Sequence, residues 1–200
     1  MMRNYHRLFL IIALMTALLF TSCLFDSREA KPPVGPGTGG GCVIDSPELA
    51  FVCMKQSLAN QQSGDYERSI SEAFKFSPTP ADSLDQAFTG VPVYANWTKD
   101  VEMQTLNLLL DDTNFTQVDF GTPSRIINKI TFVRWDVSYS LKTVTVAAPT
   151  DTVLYKGEAH IDVRNENGNW RVTFWDEVAT VPGFSTWGFL RGIQRLRLSP

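Results

Sequence analysis

The feature that most constrains this chain is a strict two-residue alternation in its second half. Val133, Trp135, Val137, Tyr139 and Leu141 alternate with Arg134, Asp136, Ser138 and Ser140. Further on, Val153, Tyr155, Gly157, Ala159, Ile161 and Val163 alternate with Leu154, Lys156, Glu158, His160 and Asp162. Successive side chains of a strand point to opposite faces, so each run predicts a strand with one buried face and one wetted face. Asn167-Gly168 then predicts a tight hairpin turn, because such a turn needs positive φ at both central residues. It leads into a third run, Trp170 to Trp175. Strands joined by short turns make an antiparallel sheet, and Gly157 in mid-strand marks a bend or bulge in it.

The first half has a different period. Ser46-Pro47-Glu48 combines an N-cap, a proline at the first helical position and an acid near the positive helix end. Phe51, Met54 and Leu58 recur at helical spacing, which predicts a helix to about Gln62. Asp65 caps a second helix running through Ala73, a short helical piece covers Ala81 to Phe88, and Thr98 caps a helix over Lys99 to Leu110. Helices grouped first and strands afterwards predict an α+β domain with the helices on one face of the sheet.

Several phrases carry a resemblance: Ser46 to Leu58, Tyr66 to Phe76, Trp97 to Glu102, and Tyr155-Lys156-Gly157-Glu158-Ala159. Gly168 to Glu177, followed by Ser185-Thr186-Trp187-Gly188, adds to it. Together they resemble the nuclear transport factor 2-like superfamily, which includes ketosteroid isomerases and polyketide cyclases, and more narrowly bacterial lipoproteins of that fold. The resemblance implies N-terminal helices packed on a strongly curved antiparallel sheet, a cone of cystatin-like architecture with a cavity at its open end. Trp97, Trp135, Tyr155, Trp170 and Phe174 are the candidates to line that cavity, although the same residues would equally fill a core.

No residue pair matches the superfamily's catalytic dyads. Asp176 is placed by alternation on the face of Trp170, Val172 and Phe174, where burial would raise a carboxyl pKa, and Tyr139 or Tyr155 would be its partner. Asp136 is a weaker candidate, since it alternates with Trp135, and Glu158, His160 and Asp162 fall on the wetted face. No His/Cys spacing suggests a metal, and no phosphate loop or other cofactor motif is present. The chain carries a net charge of −3 and no basic stripe, which argues against nucleic acid. Arg191, Arg195 and Arg197 read as a solvated terminal face.

The N-terminus addresses location. Arg3 and Arg7 precede an apolar run from Leu8 to Phe20, and Phe20-Thr21-Ser22-Cys23 sets small residues before a cysteine. That is the layout of a lipoprotein signal over residues 1–22, with Cys23 as the acylated new N-terminus. The run is shorter than the ~20 residues a bilayer span needs. The Pro/Gly-rich stretch that follows, within residues 23–41, reads as a tether, leaving 42–200 as the domain. Leu24 stands where some bacteria use Asp for inner-membrane retention, which favours the outer membrane, facing the periplasm. Cys42 and Cys53 remain, either as a disulfide, which an exported protein retains, or as a loose thiol and a buried one.

These features point to a membrane-tethered, non-catalytic binding or interaction module of the cell envelope, taking a small apolar ligand or a partner protein. The alternative is a small isomerase, cyclase or dehydratase using a buried carboxylate and a tyrosine. A sheet-to-sheet homodimer is a further expectation.

Overall fold

The computed structural model describes residues 41–198. Cys23, the 1–22 signal and nearly all of the tether lie outside the described residues. The order of elements is α1 (Pro47–Ala59), α2 (Ser63–Ser69), β1 (Ile70–Ser77), a single turn α3 (Pro80–Ser83), a 3-10 turn (Gln86–Phe88) and α4 (Lys99–Asp112). The strands β2 (Thr113–Phe120), β3 (Ser124–Lys129), β4 (Phe132–Thr145), β5 (Ala148–Glu166) and β6 (Asn169–Thr180) follow, and α5 (Trp187–Leu198) is the last described element.

The local signals act as their chemistry dictates. Ser46 Oγ accepts from the Leu49 N–H at 3.2 Å, with Pro47 at the first helical position, and Thr98 Oγ1 accepts from the Val101 N–H at 3.5 Å. Asn167 and Gly168 hold φ of 56° and 91° in the β5–β6 turn. A disulfide joins Cys42 to Cys53, with the two Cα atoms 5.5 Å apart, and so ties the entry segment to the middle of α1.

The sheet runs β1-β6-β5-β4-β2, with β3 also pairing β4. β2 and β3 follow one another along a single edge of β4, β2 against Tyr139–Thr145 and β3 against Phe132–Asp136. All pairs are antiparallel except the outermost, where β1 runs parallel to β6. This departs from the sequence expectation, in which residues 70–73 continued a helix. The helix stops at Ser69, and Phe74 and Phe76 are buried on either side of the exposed Lys75. The partner that makes this segment a strand lies about a hundred residues further along the chain, which local periodicity does not register.

The β5–β6 ladder slips register. Asp162 lies opposite Phe174 and Val163 opposite Val172, so Thr173 is an extra residue in β6. A bulge of one residue exchanges the two faces beyond it, here as far as Glu177, after which a second extra residue, Val178, shifts the register again. Trp170 and Val172 face the helices as expected, but beyond the bulge Trp175 and Glu177 do so, at 0% and 3% exposure. Phe174 and Asp176 turn to the outer face and are partly exposed. The alternation that set Phe174 and Asp176 inward is thereby corrected.

The helix-facing side of the sheet is packed with aromatic rings. From α1, Phe51 sits edge-on to Phe120 at 5.5 Å and lies 6.3 Å from Trp135, and Trp187 of α5 lies 5.5 Å from Phe115. Replacing a fully enclosed tryptophan by alanine costs about 3–5 kcal/mol, whereas truncating a half-exposed side chain costs about 1 kcal/mol or less. Urea unfolding should therefore show Trp175→Ala as severely destabilising and Phe174→Ala as mild. The opposite ranking would mean that β6 carries no bulge.

Candidate functional site

Polar groups buried on the helix-facing side gather around two carboxylates. Glu102, in the first turn of α4, is 1% exposed, and Arg191, in the middle of α5, is 2% exposed. Glu102 Oε1 accepts from Tyr66 Oη at 2.6 Å and from Arg191 Nη2 and Nε at 2.7 and 3.2 Å. Its Oε2 accepts from Trp97 Nε1 at 2.9 Å. The Arg191 guanidinium is flanked by the rings of Phe76, Trp175 and Trp187, with centroids at 4.5, 4.6 and 5.0 Å. Among the described residues its Nη1 has no hydrogen-bond acceptor, so ring faces supply its remaining electrostatic contact. Burial works most strongly against the charge on Arg191, but Glu102, Tyr66 and Glu177 together more than offset it, Glu102 most of all, and raise the pKa. Tyr66 is pushed well above the usual phenol range, by burial first and Glu102 second, and stays a neutral donor. Arg191 is thus an interior residue and not part of a solvated face shared with Arg195 and Arg197.

The second carboxylate is Glu177, which the β6 bulge turns inward. Tyr139 Oη donates to Glu177 Oε2 at 2.5 Å and Trp175 Nε1 donates to Oε1 at 3.0 Å. Tyr139 Oη in turn accepts from the Trp187 N–H at 3.0 Å, fastening the start of α5 to the same group. Burial pushes the Glu177 carboxyl up to about 8, against the opposing pull of Tyr139, Arg191 and Trp175. The same burial, reinforced by Glu177, raises Tyr139 far above its ordinary value. Nearby, Asp82 Oδ2 accepts from the hydroxyls of Thr79 and Thr186 at 2.8 and 2.7 Å.

α5 reaches this depth because Gly188 and Gly192, one turn apart, carry no side chains where it meets its neighbours. A Cβ on Gly188 would come within 3.1 Å of Asp82 Oδ2 and 3.2 Å of the Phe76 ring, and one on Gly192 would collide with Tyr94 and Phe88. Tyr94 Oη donates to the Gly188 carbonyl at 3.0 Å. The space between sheet and helices is therefore taken by the chain's own Trp187, Arg191 and Leu190.

The residues singled out from sequence are dispersed. Trp97, Trp135 and Trp170 are core residues at 2%, 5% and 8% exposure rather than walls of an open pocket. Tyr155 borders a cavity of about 500 Å³ at the end of the sheet, together with Thr145 to Ala147, Asp111 to Thr113, and Leu190, Ile193 and Gln194 of α5. Asp136, His160 and Asp176 lie side by side on the outer face, His160 being the cross-strand partner of both acids. Asp162 takes two hydrogen bonds from Arg134, at 2.5 and 2.8 Å. Tyr139 is inside, but its carboxylate partner is Glu177 and not Asp176, a residue that simple alternation hides. Among the described residues no group of three His, Cys, Asp or Glu is placed to hold a metal ion, and no helix is long and apolar enough to cross a membrane.

No protein-family model and no curated protein matches the sequence. Solved structures do. A ketosteroid isomerase-like protein from Erwinia carotovora atroseptica superposes with a TM-score of 0.52 at 8% identity, over 70% of this chain and 97% of that one. This chain has the nuclear transport factor 2-like fold. A conserved protein from Planctomyces limnophilus gives a TM-score of 0.53 at 9% identity, over 66% of this chain and 93% of its own. A protein of unknown function from Mycobacterium tuberculosis gives 0.50 at 8%, over 76% and 84%. At such identities the likeness concerns the nuclear transport factor 2-like fold alone.

Glu177 makes the stability of this domain depend on pH. Its folded pKa of about 8 lies above the ordinary carboxyl value of 4.5, so between those values the native state holds a proton that the unfolded chain has released. Stability from this group is fully present below about pH 4.5 and is lost as pH rises toward 8. Glu177→Gln keeps the shape and removes the titration. Urea unfolding at pH 5, 7 and 9 should show the variant gaining on the wild type as pH rises, by up to a few kcal/mol. A constant difference across that range would contradict the assignment.

Proposed function

We propose that this protein is a lipid-anchored, non-catalytic binding module of the bacterial cell envelope, with its ligand in the cavity at the end of the sheet. The observation that carries the reading is the occupation of the cone by α5. General acid–base chemistry needs a group within hydrogen-bond reach of a substrate. Glu102 is held by Arg191, Tyr66 and Trp97, and Glu177 by Tyr139 and Trp175, all under the C-terminal helix. The isomerase-like alternative would draw on Glu177 and Tyr139, whose exposures are 3% and 4%. The cavity beside Tyr155 has the size and mixed lining of a small-molecule site.

The anchor rests on the sequence around Cys23 and on the tether after it. Each buried methylene of an acyl chain contributes roughly 0.8 kcal/mol, so two or three chains hold a domain of this size at a membrane. Outer-membrane placement facing the periplasm follows from Leu24 after the cysteine.

Cells fed an alkyne-tagged palmitate should label the wild type, which should fractionate with membranes, while Cys23→Ser should carry no label. Wild-type protein that is unlabelled and released into the soluble periplasmic fraction would overturn the anchor. For binding, native mass spectrometry should find a small molecule retained by the wild type and lost from Leu190→Trp, which fills the cavity. Equal retention by both would place the site elsewhere.

A further inference from the structure

The cavity at the end of the sheet has two chemically distinct parts. Its walls are apolar, made by Leu190 and Ile193 of α5, Val146 and Ala147 of the β4–β5 turn, and the Tyr155 ring. Its rim is electronegative. Asp111 and Asp112 close the fourteen-residue α4 there, its last turn contains no basic residue, and its Leu109 and Asp112 carbonyls accept from Thr113 and from the Val146 N–H. A helix C-terminus carries about half a negative charge, which adds to the two carboxylates. The residues lining the cavity include no Lys, Arg or His.

The chain already supplies an internal imitation of what fits. Arg197, in the last turn of α5, lays its guanidinium on Asp112 and also donates to Gln194 Oε1 at 2.7 Å. This pair is exposed, with side-chain exposures of 47% and 40%, and an exposed pair is worth little and exchanges readily. A cation able to bury an apolar body beside Leu190 and Ile193 gains both terms at once and outcompetes the arginine.

We propose that the cavity binds an amphipathic organic cation, an amine or quaternary ammonium group on an apolar body. The charge sits at Asp111 and Asp112 and the body lies against Leu190, Ile193 and Tyr155. This rests on the reading of the cavity as the ligand site and adds the class of ligand. Anions of the same shape are rejected by the rim, and neutral ones bind only through the walls.

The test uses the full lipidated protein in phosphatidylcholine nanodiscs, with empty nanodiscs as blank, and three probes of similar shape. These are benzyltrimethylammonium, benzyl alcohol and phenylacetate, titrated calorimetrically. The cation should bind about tenfold more tightly than either of the others, and more weakly as salt is raised. The double variant Asp111→Asn, Asp112→Asn should lose about that tenfold. Arg197→Ala, which frees Asp112, should bind the cation several-fold more tightly, a gain that no general loosening of the fold would give. Equal binding of all three probes, abolished by Leu190→Trp, would overturn the cation and leave the site standing. Binding of none of them by the wild type would overturn both.

Discussion

The Arg191–Glu102 pair is the interaction on which the rest of this structure depends. Removing two charges from water carries a penalty of several kcal/mol per ion. The penalty is offset here because Glu102 receives hydrogen bonds from three different side chains and Arg191 is enclosed by three rings. Loss of one partner would strand the other charge at about 3–5 kcal/mol. Through these contacts α5 is joined to α4, to Tyr66 of α2 and to Trp97 of the loop between β1 and α4, while the Trp187 N–H joins it to Tyr139 of β4. The last helix of the chain is thereby part of the core.

This arrangement decides what the cone can do. A curved sheet with helices on one side leaves an interior that must either hold a ligand or be filled. Here it is filled by Trp187, Leu190 and Arg191, and the glycines at 188 and 192 let that happen without displacing Asp82, Tyr94 or Phe88. A cavity of about 500 Å³ lies past the edge of this plug, between α5, the end of α4 and the β4–β5 turn. On the proposed reading, filling the interior moves recognition to this rim, where Asp111 and Asp112 set the charge and Leu190 and Ile193 of α5 the apolar wall.

Much of the fold was legible in the sequence because its signals are local. Ser46 and Thr98 cap helices, Asn167-Gly168 turns a hairpin, and the alternation through β4 and β5 places Trp135, Tyr139, Ala159 and Ile161 inward. The features that were hidden all depend on distant partners. β1 becomes a strand by joining β6. The extra residue at Thr173 has no composition of its own, yet it replaces Phe174 and Asp176 by Trp175 and Glu177 on the inner face. Arg191 looks like one of three surface arginines until α4 delivers a carboxylate to it.

Hydrogen exchange of the α5 amides tests this account most directly, since it reads whether the helix opens alone or only with the whole domain. If the Arg191–Glu102 pair fastens α5 into the core, the amides of Arg191 to Gln194 should exchange with the same opening free energy as those of Val137 and Ile161 in the central strands. Exchange of these amides through a local opening several kcal/mol easier than global unfolding would contradict it, and would make α5 a detachable cover over the cone.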